Sequence, residues 1–271
     1  MNVWSEFRDK VFLITGASSG IGKELSVQLA RSGARLTLAA RRAEKLEDVA
    51  LEVERLGGQA LVLPTDVGVE EQCARLIEQT VAHYGRLDAL INNAGIMMWA
   101  RFDELESLEP MERLMRVNYY GAVYCTHYAL PHLKRARGRI VSISSLTGKF
   151  GVPTRSLYAA TKHAMAGFFD SLRIELRDEG VAVTTVYPGF VAIEDRGRAM
   201  GPDGKPMGAS PMDEDKAMSP EECASIILEA CAEREREVIM TFVGKLGVFI
   251  KLLAPGLVDM VAAREVERVK R

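Results

Sequence analysis

Between Lys10 and Phe190, short β-rich runs alternate with longer helical stretches, and this alternation constrains the fold more than any other feature. Residues 11–15, 34–40, 60–64, 87–92, 139–144 and 181–187 are apolar runs bounded by Gly, Pro or Asp. A continuous apolar run, as opposed to an alternating one, is expected of a strand covered on both faces. Residues 22–32, 42–56, 70–84, 111–133 and 158–179 supply the helical patterns that would do the covering. The predicted fold class is therefore α/β, a single-domain Rossmann-like doubly wound parallel sheet with helices on both faces and right-handed crossovers.

Length fits that architecture, since 271 residues suit one large domain over residues 1–271. Residues 10–192 form the expected cofactor-binding and catalytic core. Residues 193–218, rich in Gly, Pro, Met and charge without periodicity, are the expected substrate lid. Residues 219–271 are a helix–strand–helix extension. Ser219-Pro220-Glu221-Glu222 matches a capping box with proline at the first helical position, which predicts a helix to about residue 237. A strand over 238–242 should follow, then an amphipathic, mildly basic helical segment over 244–271, broken at Ala254-Pro255-Gly256.

A net charge of −2 offers no basic face for nucleic acid. The four cysteines form no C-x-x-C pair and none has a histidine at metal-ligand spacing, so no metal site is expected and reduced thiols point to a cytoplasmic protein. Met1 to Lys10 is polar, without the apolar stretch of a signal peptide. No apolar run reaches the roughly 18–20 residues needed to span a bilayer.

The first strand leads into Thr15-Gly16-Ala17-Ser18-Ser19-Gly20-Ile21-Gly22. Small residues at a strand-to-helix turn let the backbone approach a pyrophosphate, whose charge the helix N-terminus favours. The spacing is G-x-x-x-G-x-G. The second strand ends Leu38-Ala39-Ala40-Arg41-Arg42. An NAD site usually carries an acid at that strand end for the ribose 2′-hydroxyl. Here the place is apolar and two guanidiniums able to pair with a 2′-phosphate follow, so NADP(H) is the expected cofactor.

Read together with further motifs, the chain resembles the short-chain dehydrogenase/reductase family, in its single-domain branch, over residues 10 to about 192. Gly16, Ser18, Ser19, Gly20, Ile21 and Gly22 are similar to its cofactor loop. Asp66-Val67 resembles its adenine-contacting pair, and Asn92-Asn93-Ala94-Gly95 its N-N-A-G stretch after the fourth strand. Asn118 resembles the asparagine of the next helix. Ser145, Tyr158 and Lys162 match the family's serine and Y-x-x-x-K pair, and Pro188-Gly189 resembles the turn beneath the nicotinamide. Ser144 competes with Ser145, but the family's serine lies thirteen residues before its tyrosine, which selects Ser145. One departure stands out: the family often has a threonine five residues after the proline of P-G, and this chain has Ile193.

The resemblance implies an oxidoreductase acting on a CH-OH/C=O group with Asn118, Ser145, Tyr158 and Lys162 as its catalytic set. Reducing a carbonyl requires a proton for the developing alkoxide, and the reverse reaction a base to remove it. A free tyrosine titrates near pKa ~10. Lys162, four residues on, shares a helix face with Tyr158, and its ammonium, with the positive nicotinamide of NADP⁺, is expected to lower that value. Ser145 can hydrogen-bond the substrate oxygen. By resemblance Lys162 also holds the nicotinamide ribose, and Asn118 a water of a proton relay. The alternative is a non-catalytic NADP(H)-binding sensor or scaffold of the same fold.

Residues 96–99 (Ile-Met-Met-Trp), with Phe150, Val152 and Leu157, suggest an apolar substrate pocket, for a ketone, aldehyde or alcohol, with Met97 and Phe150 as its foremost contacts. Arg155 could meet an anionic group or face solvent, and the solvent-facing reading is favoured. In the 244–271 segment, Leu246, Phe249, Leu252, Leu253, Leu257, Met260 and Val261 form an apolar surface edged by Lys245, Lys251, Arg264 and Arg268. Packing on its own domain or a neighbouring subunit is favoured over a membrane surface. A homodimer or homotetramer follows the family's habit.

Overall fold

The computed structural model describes residues 3–193, 197, 199–208 and 217–269. Seven strands form one sheet: β1 Val11–Thr15, β2 Arg35–Ala40, β3 Gln59–Pro64, β4 Ala89–Asn92, β5 Arg139–Ile143, β6 Ala182–Tyr187 and β7 Glu237–Ile239. Every pairing is parallel, in the order β3-β2-β1-β4-β5-β6-β7.

Successive side chains of a strand point to opposite faces, and here both faces are buried. Phe12 and Ile14 of β1 join one core with Leu25 and Leu29 of α1 (Gly20–Arg31), Leu46 and Val53 of α2 (Ala43–Arg55), and Ile227 and Leu228 of the C-terminal helix Pro220–Ala232. Val11 and Leu13 join the other, with Leu76 of α3 (Glu70–Tyr84), Leu133, and Phe169. Burying each such side chain contributes about 1.5–3 kcal/mol. This two-sided burial explains why the strands read as unbroken apolar runs.

The stretch expected as one helix over 111–133 is α4 (Glu109–Met115), a π turn (Arg116–Tyr120) and α5 (Gly121–Ala136) in continuous succession. Then come α6 (Ser156–Glu175), α7 (Pro220–Ala232), α8 (Phe242–Leu253) and α9 (Pro255–Val269). Ser219 caps α7 through the Glu222 N–H. That helix stops at Ala232, well before residue 237, because Arg234 turns into the left-handed region at φ 55°. The expected strand over 238–242 is also corrected: β7 ends at Ile239, and the Thr241 hydroxyl accepts from Gly244 N–H and starts a helix at Phe242. No helix among the described residues is long and apolar enough to cross a membrane.

Strand order reverses between β1 and β4, opening a crevice at the carboxyl ends of the strands where ligands of such sheets bind.

Candidate active site

A cleft of about 1770 Å³ occupies that crevice and extends from the glycine loop to α8 and α9. At its first end, β1 passes into the loop through Thr15. The Thr15 hydroxyl accepts from the Asn93 and Ala94 N–H groups at 3.0 Å each, tying β1 to the end of β4. Asn93 Nδ2 donates to Thr15 O at 2.9 Å and Gly16 O at 3.1 Å, so this side chain shapes the loop. Gly16 takes φ +68°, where a side chain is strained. A Cβ on Gly22 would lie 2.3 Å from Gly16 O, so only glycine fits there. Ser19 precedes α1 in extended conformation without capping it, which leaves the helix's first N–H groups directed into the cleft beside Ser18, Gly20 and Ile21. Small residues and an uncapped helix start make a cradle that fits a pyrophosphate.

Beyond the loop, β2 ends at Ala40 with no carboxylate; Arg41 is exposed, and Arg42 Nη2 reaches Ser18 Oγ at 3.4 Å. Both arginines line the cleft, as do Asp66, Val67, Ala94 and Gly95. Asp66 Oδ1 accepts from Gly68 N–H at 2.9 Å, which bends the chain after β3. Ile193 packs over the glycine loop: a Cβ on Gly20 would lie 2.9 Å from Ile193 Cγ2. Thr184 and Thr185 bond elsewhere, to Glu235 O and Arg173, on the buried strand β6.

The π turn holds Asn118, fully buried. Its Oδ1 accepts from Ile96 N–H at 2.8 Å, and its Nδ2 donates to Ile96 O at 2.9 Å and Thr161 Oγ1 at 3.0 Å. Both amide hydrogens are committed, so the side chain fixes the loop after β4 against α6. Thr161 was not foreseen; a threonine on the buried face between Tyr158 and Lys162 is its only trace in the sequence.

The two serines after β5 separate clearly. Ser144 Oγ donates to Lys162 O at 3.3 Å, facing the helix backbone. Ser145, extended at φ −166°, accepts from Thr147 N–H, and its hydroxyl acts on the Tyr158 pKa in the lowering direction. Leu146 N–H donates to Pro188 O at 3.0 Å, which joins this corner to the Pro188-Gly189 turn.

Tyr158 and Lys162, one turn apart on α6, are 7% and 4% exposed. Lys162 Nζ donates to Ile143 O at 2.9 Å and lies 5.7 Å from the Tyr158 ring centre. Burial pulls the ammonium's pKa down to about 8. Burial raises the pKa of the Tyr158 hydroxyl, against which Arg155 and Ser145 act in the lowering direction. Desolvation wins, and the groups of the chain that oppose it are Arg155 and Ser145.

Arg155 overturns its solvent-facing reading. It is 6% exposed, and its guanidinium lies over the rings of Trp99 at 3.7 Å and Phe190 at 4.8 Å. Around it, Ile96, Met97, Trp99, Phe150 and Val152 line the cleft. Met98 does not; it pairs with Met200 and is buried in a small core that Leu157 flanks. Of the expected lid, Ala199, Met200, Gly204, Pro206 and Met207 line the cleft, and residues 194–196, 198 and 209–216 lie outside the described residues.

At the far end Val243, Leu246, Ile250, Leu257, Val258 and Val261 of α8 and α9 form the cleft's rim. Packing on their own domain covers little of this pair: Phe242, Val243, Leu252 and Leu253 are each more than 70% exposed. The Arg268 side chain lies outside those described.

Comparison with known proteins defines the class. Residues 10–199 match the model of the short chain dehydrogenase family. A protein of Arabidopsis thaliana named 11-beta-hydroxysteroid dehydrogenase-like 4A is 45% identical over 183 residues, 67% of this chain and 61% of its own length. Another from that plant, 11-beta-hydroxysteroid dehydrogenase-like 2, is 37% identical over 251 residues, 92% of this chain and 79% of its own. An Arachis hypogaea protein named 11-beta-hydroxysteroid dehydrogenase A is 36% identical over 263 residues, 92% of this chain and 73% of its own. The chain thus spans about three fifths of the first relative's length. It belongs to the short-chain dehydrogenase/reductase family.

Proposed function

We propose that this protein is an NADP(H)-dependent oxidoreductase that interconverts a carbonyl and an alcohol on a bulky apolar substrate. One observation carries the reading: a single cleft joins the glycine cradle and Arg41/Arg42, the Ser145–Tyr158–Lys162 corner, and an apolar rim on α8 and α9. The dinucleotide, when bound, supplies or accepts the hydride. Gly16, Gly20 and Gly22, with the uncapped start of α1, would hold its pyrophosphate. The apolar end of β2 and the two arginines favour a 2′-phosphate over a bare ribose hydroxyl.

In the reducing direction Tyr158 Oη gives its proton to the alkoxide oxygen, and in the oxidising direction takes it back. Ser145 Oγ hydrogen-bonds the same oxygen and holds the carbonyl at Tyr158. Lys162 would fix the ribose, and its ammonium together with the positive nicotinamide of the bound oxidised cofactor would favour tyrosinate. Asn118 acts as a brace, keeping the loop after β4 in place.

The relatives' names and the apolar walls support a hydroxysteroid-like alcohol or ketone as the substrate class. A homo-oligomer in which a neighbouring subunit covers the exposed apolar face of α8 and α9 is part of the same reading, as is a cytoplasmic setting, consistent with four buried free cysteines.

Fluorescence titration tests the cofactor preference. A charge-assisted hydrogen bond contributes about 1.5–3 kcal/mol, so Arg41→Ala should weaken NADPH about tenfold or more and leave NADH nearly unchanged. Equal losses for the two would remove Arg41 from the 2′-phosphate site.

A further inference from the structure

We propose that Arg155 is a positioning residue of this active site, a permanent cation held by two aromatic rings that keeps the Tyr158 hydroxyl poised for proton transfer. The inference rests on Tyr158 being the acid/base.

Three placements support it. Arg155 immediately precedes α6, three residues before Tyr158 and so next to it on the helix surface, and both line the same cleft. The rings beneath it come from separate loops, Trp99 after β4 and Phe190 after β6, so the guanidinium is located by the fold and not only by its own helix. Trp99 is itself fixed, its N–H bonded to Met200 O at 2.9 Å and its indole to Met97 Sδ at 2.9 Å.

The backbone is bent to put it there. Thr154, a β-branched residue, takes φ +67°, a region such residues rarely enter. Its carbonyl is held by Ala100 N–H at 2.9 Å, and Arg155 N–H bonds Val152 O at 3.2 Å. Unfavourable backbone of this kind persists where surrounding structure imposes it and gathers at functional sites.

Electrostatics supplies the reason for a second cation. Burial opposes tyrosinate at Tyr158 and also pulls Lys162 down to about 8, so the lysine loses charge as pH rises through the mildly alkaline range. A guanidinium stays charged throughout. Tyr158 also sits in the first turn of α6, where the helix dipole favours negative charge. From other elements, Ser145 after β5 acts on it, and the charged side chains of Glu104, in the turn Phe102–Glu104, and Arg113 of α4 line the same cleft. Among the described residues, Arg155 and Ser145 are the groups that oppose burial at this hydroxyl.

The chain has seven tyrosines, so Tyr158 is isolated by subtraction. Tyrosinate absorbance is titrated against pH for the parent protein and for Tyr158→Phe, then for Arg155→Met and Arg155→Lys, each with and without Tyr158→Phe. Arg155→Met should move the Tyr158 midpoint up by about one pH unit or more, since losing a nearby opposite charge has that size of effect. Arg155→Lys, which keeps charge without the planar stack, should move it less, and it carries the test should Arg155→Met fail to fold. The limb of the kcat/KM profile should shift in the same direction. An unchanged midpoint in the variants that fold overturns the role of Arg155, even where Tyr158→Phe is inactive. Full turnover in Tyr158→Phe instead overturns the acid/base assignment beneath it.

Discussion

Tyr158→Phe is expected to lower kcat by about 10²- to 10⁴-fold, the usual contribution of a positioned acid/base, while NADPH affinity stays within about twofold. Phenylalanine fills the same buried space among Met98, Leu114 and Met200, so packing survives and only the hydroxyl goes. The stability cost is that of one lost polar group, about 1 kcal/mol or less. Steady-state kinetics beside a cofactor titration separates the two effects. Turnover within tenfold of the parent would mean that the proton comes from elsewhere. A parallel loss of cofactor affinity would mean that the ring, and not its hydroxyl, is what the site needs.

Gly22→Ala should cripple the cofactor loop with no change in charge or hydrogen-bonding groups. The added Cβ would meet Gly16 O at 2.3 Å and Asn93 Nδ2 at 2.6 Å. The first is backbone in the turn itself and cannot swing aside as a side-chain tip could. Relief requires the loop and α1 to part, and overpacking of this kind costs about 1–3 kcal/mol. Because the same shift spoils the cradle, NADPH affinity should fall about 10- to 100-fold, and cofactor-induced stabilisation in a thermal melt should shrink with it. Parent-like melting and affinity would show that the loop has room to spare.

The sequence made the sheet legible because burial on two faces leaves a distinctive trace: β1 packs Phe12 and Ile14 to one side and Val11 and Leu13 to the other, so apolar residues run on without alternation. Tyr158 and Lys162 were singled out by the family resemblance, and their four-residue spacing on a helix gave only the shared face. The π turn around Asn118 left no such trace. One extra residue in a helical turn barely disturbs apolar periodicity, and what it accomplishes, delivering the amide to Ile96 and Thr161, depends on segments far away in the chain. Arg155 was misread for the same reason. Within Val152-Pro153-Thr154-Arg155-Ser156 it looks like a loop cation, and its burial comes from Trp99 and Phe190, which the sequence cannot bring to it. The balance at Tyr158 turns on desolvation, a property of the assembled cleft. The C-terminal end failed locally: a β-rich pattern over 238–242 hid the capping threonine at 241, whose hydroxyl commits the next residues to helix.

The central claim is that one cleft binds NADPH and passes its hydride to an apolar carbonyl. The most direct test is to follow NADPH consumption by the protein with a series of ketones of rising apolar bulk, ketosteroids included, and to identify the product. The account predicts NADPH-dependent formation of the matching alcohol, more efficient with the bulkier apolar members and slower with NADH. Tight NADPH binding with no alcohol formed from any of them would contradict it and would fit a cofactor-binding sensor.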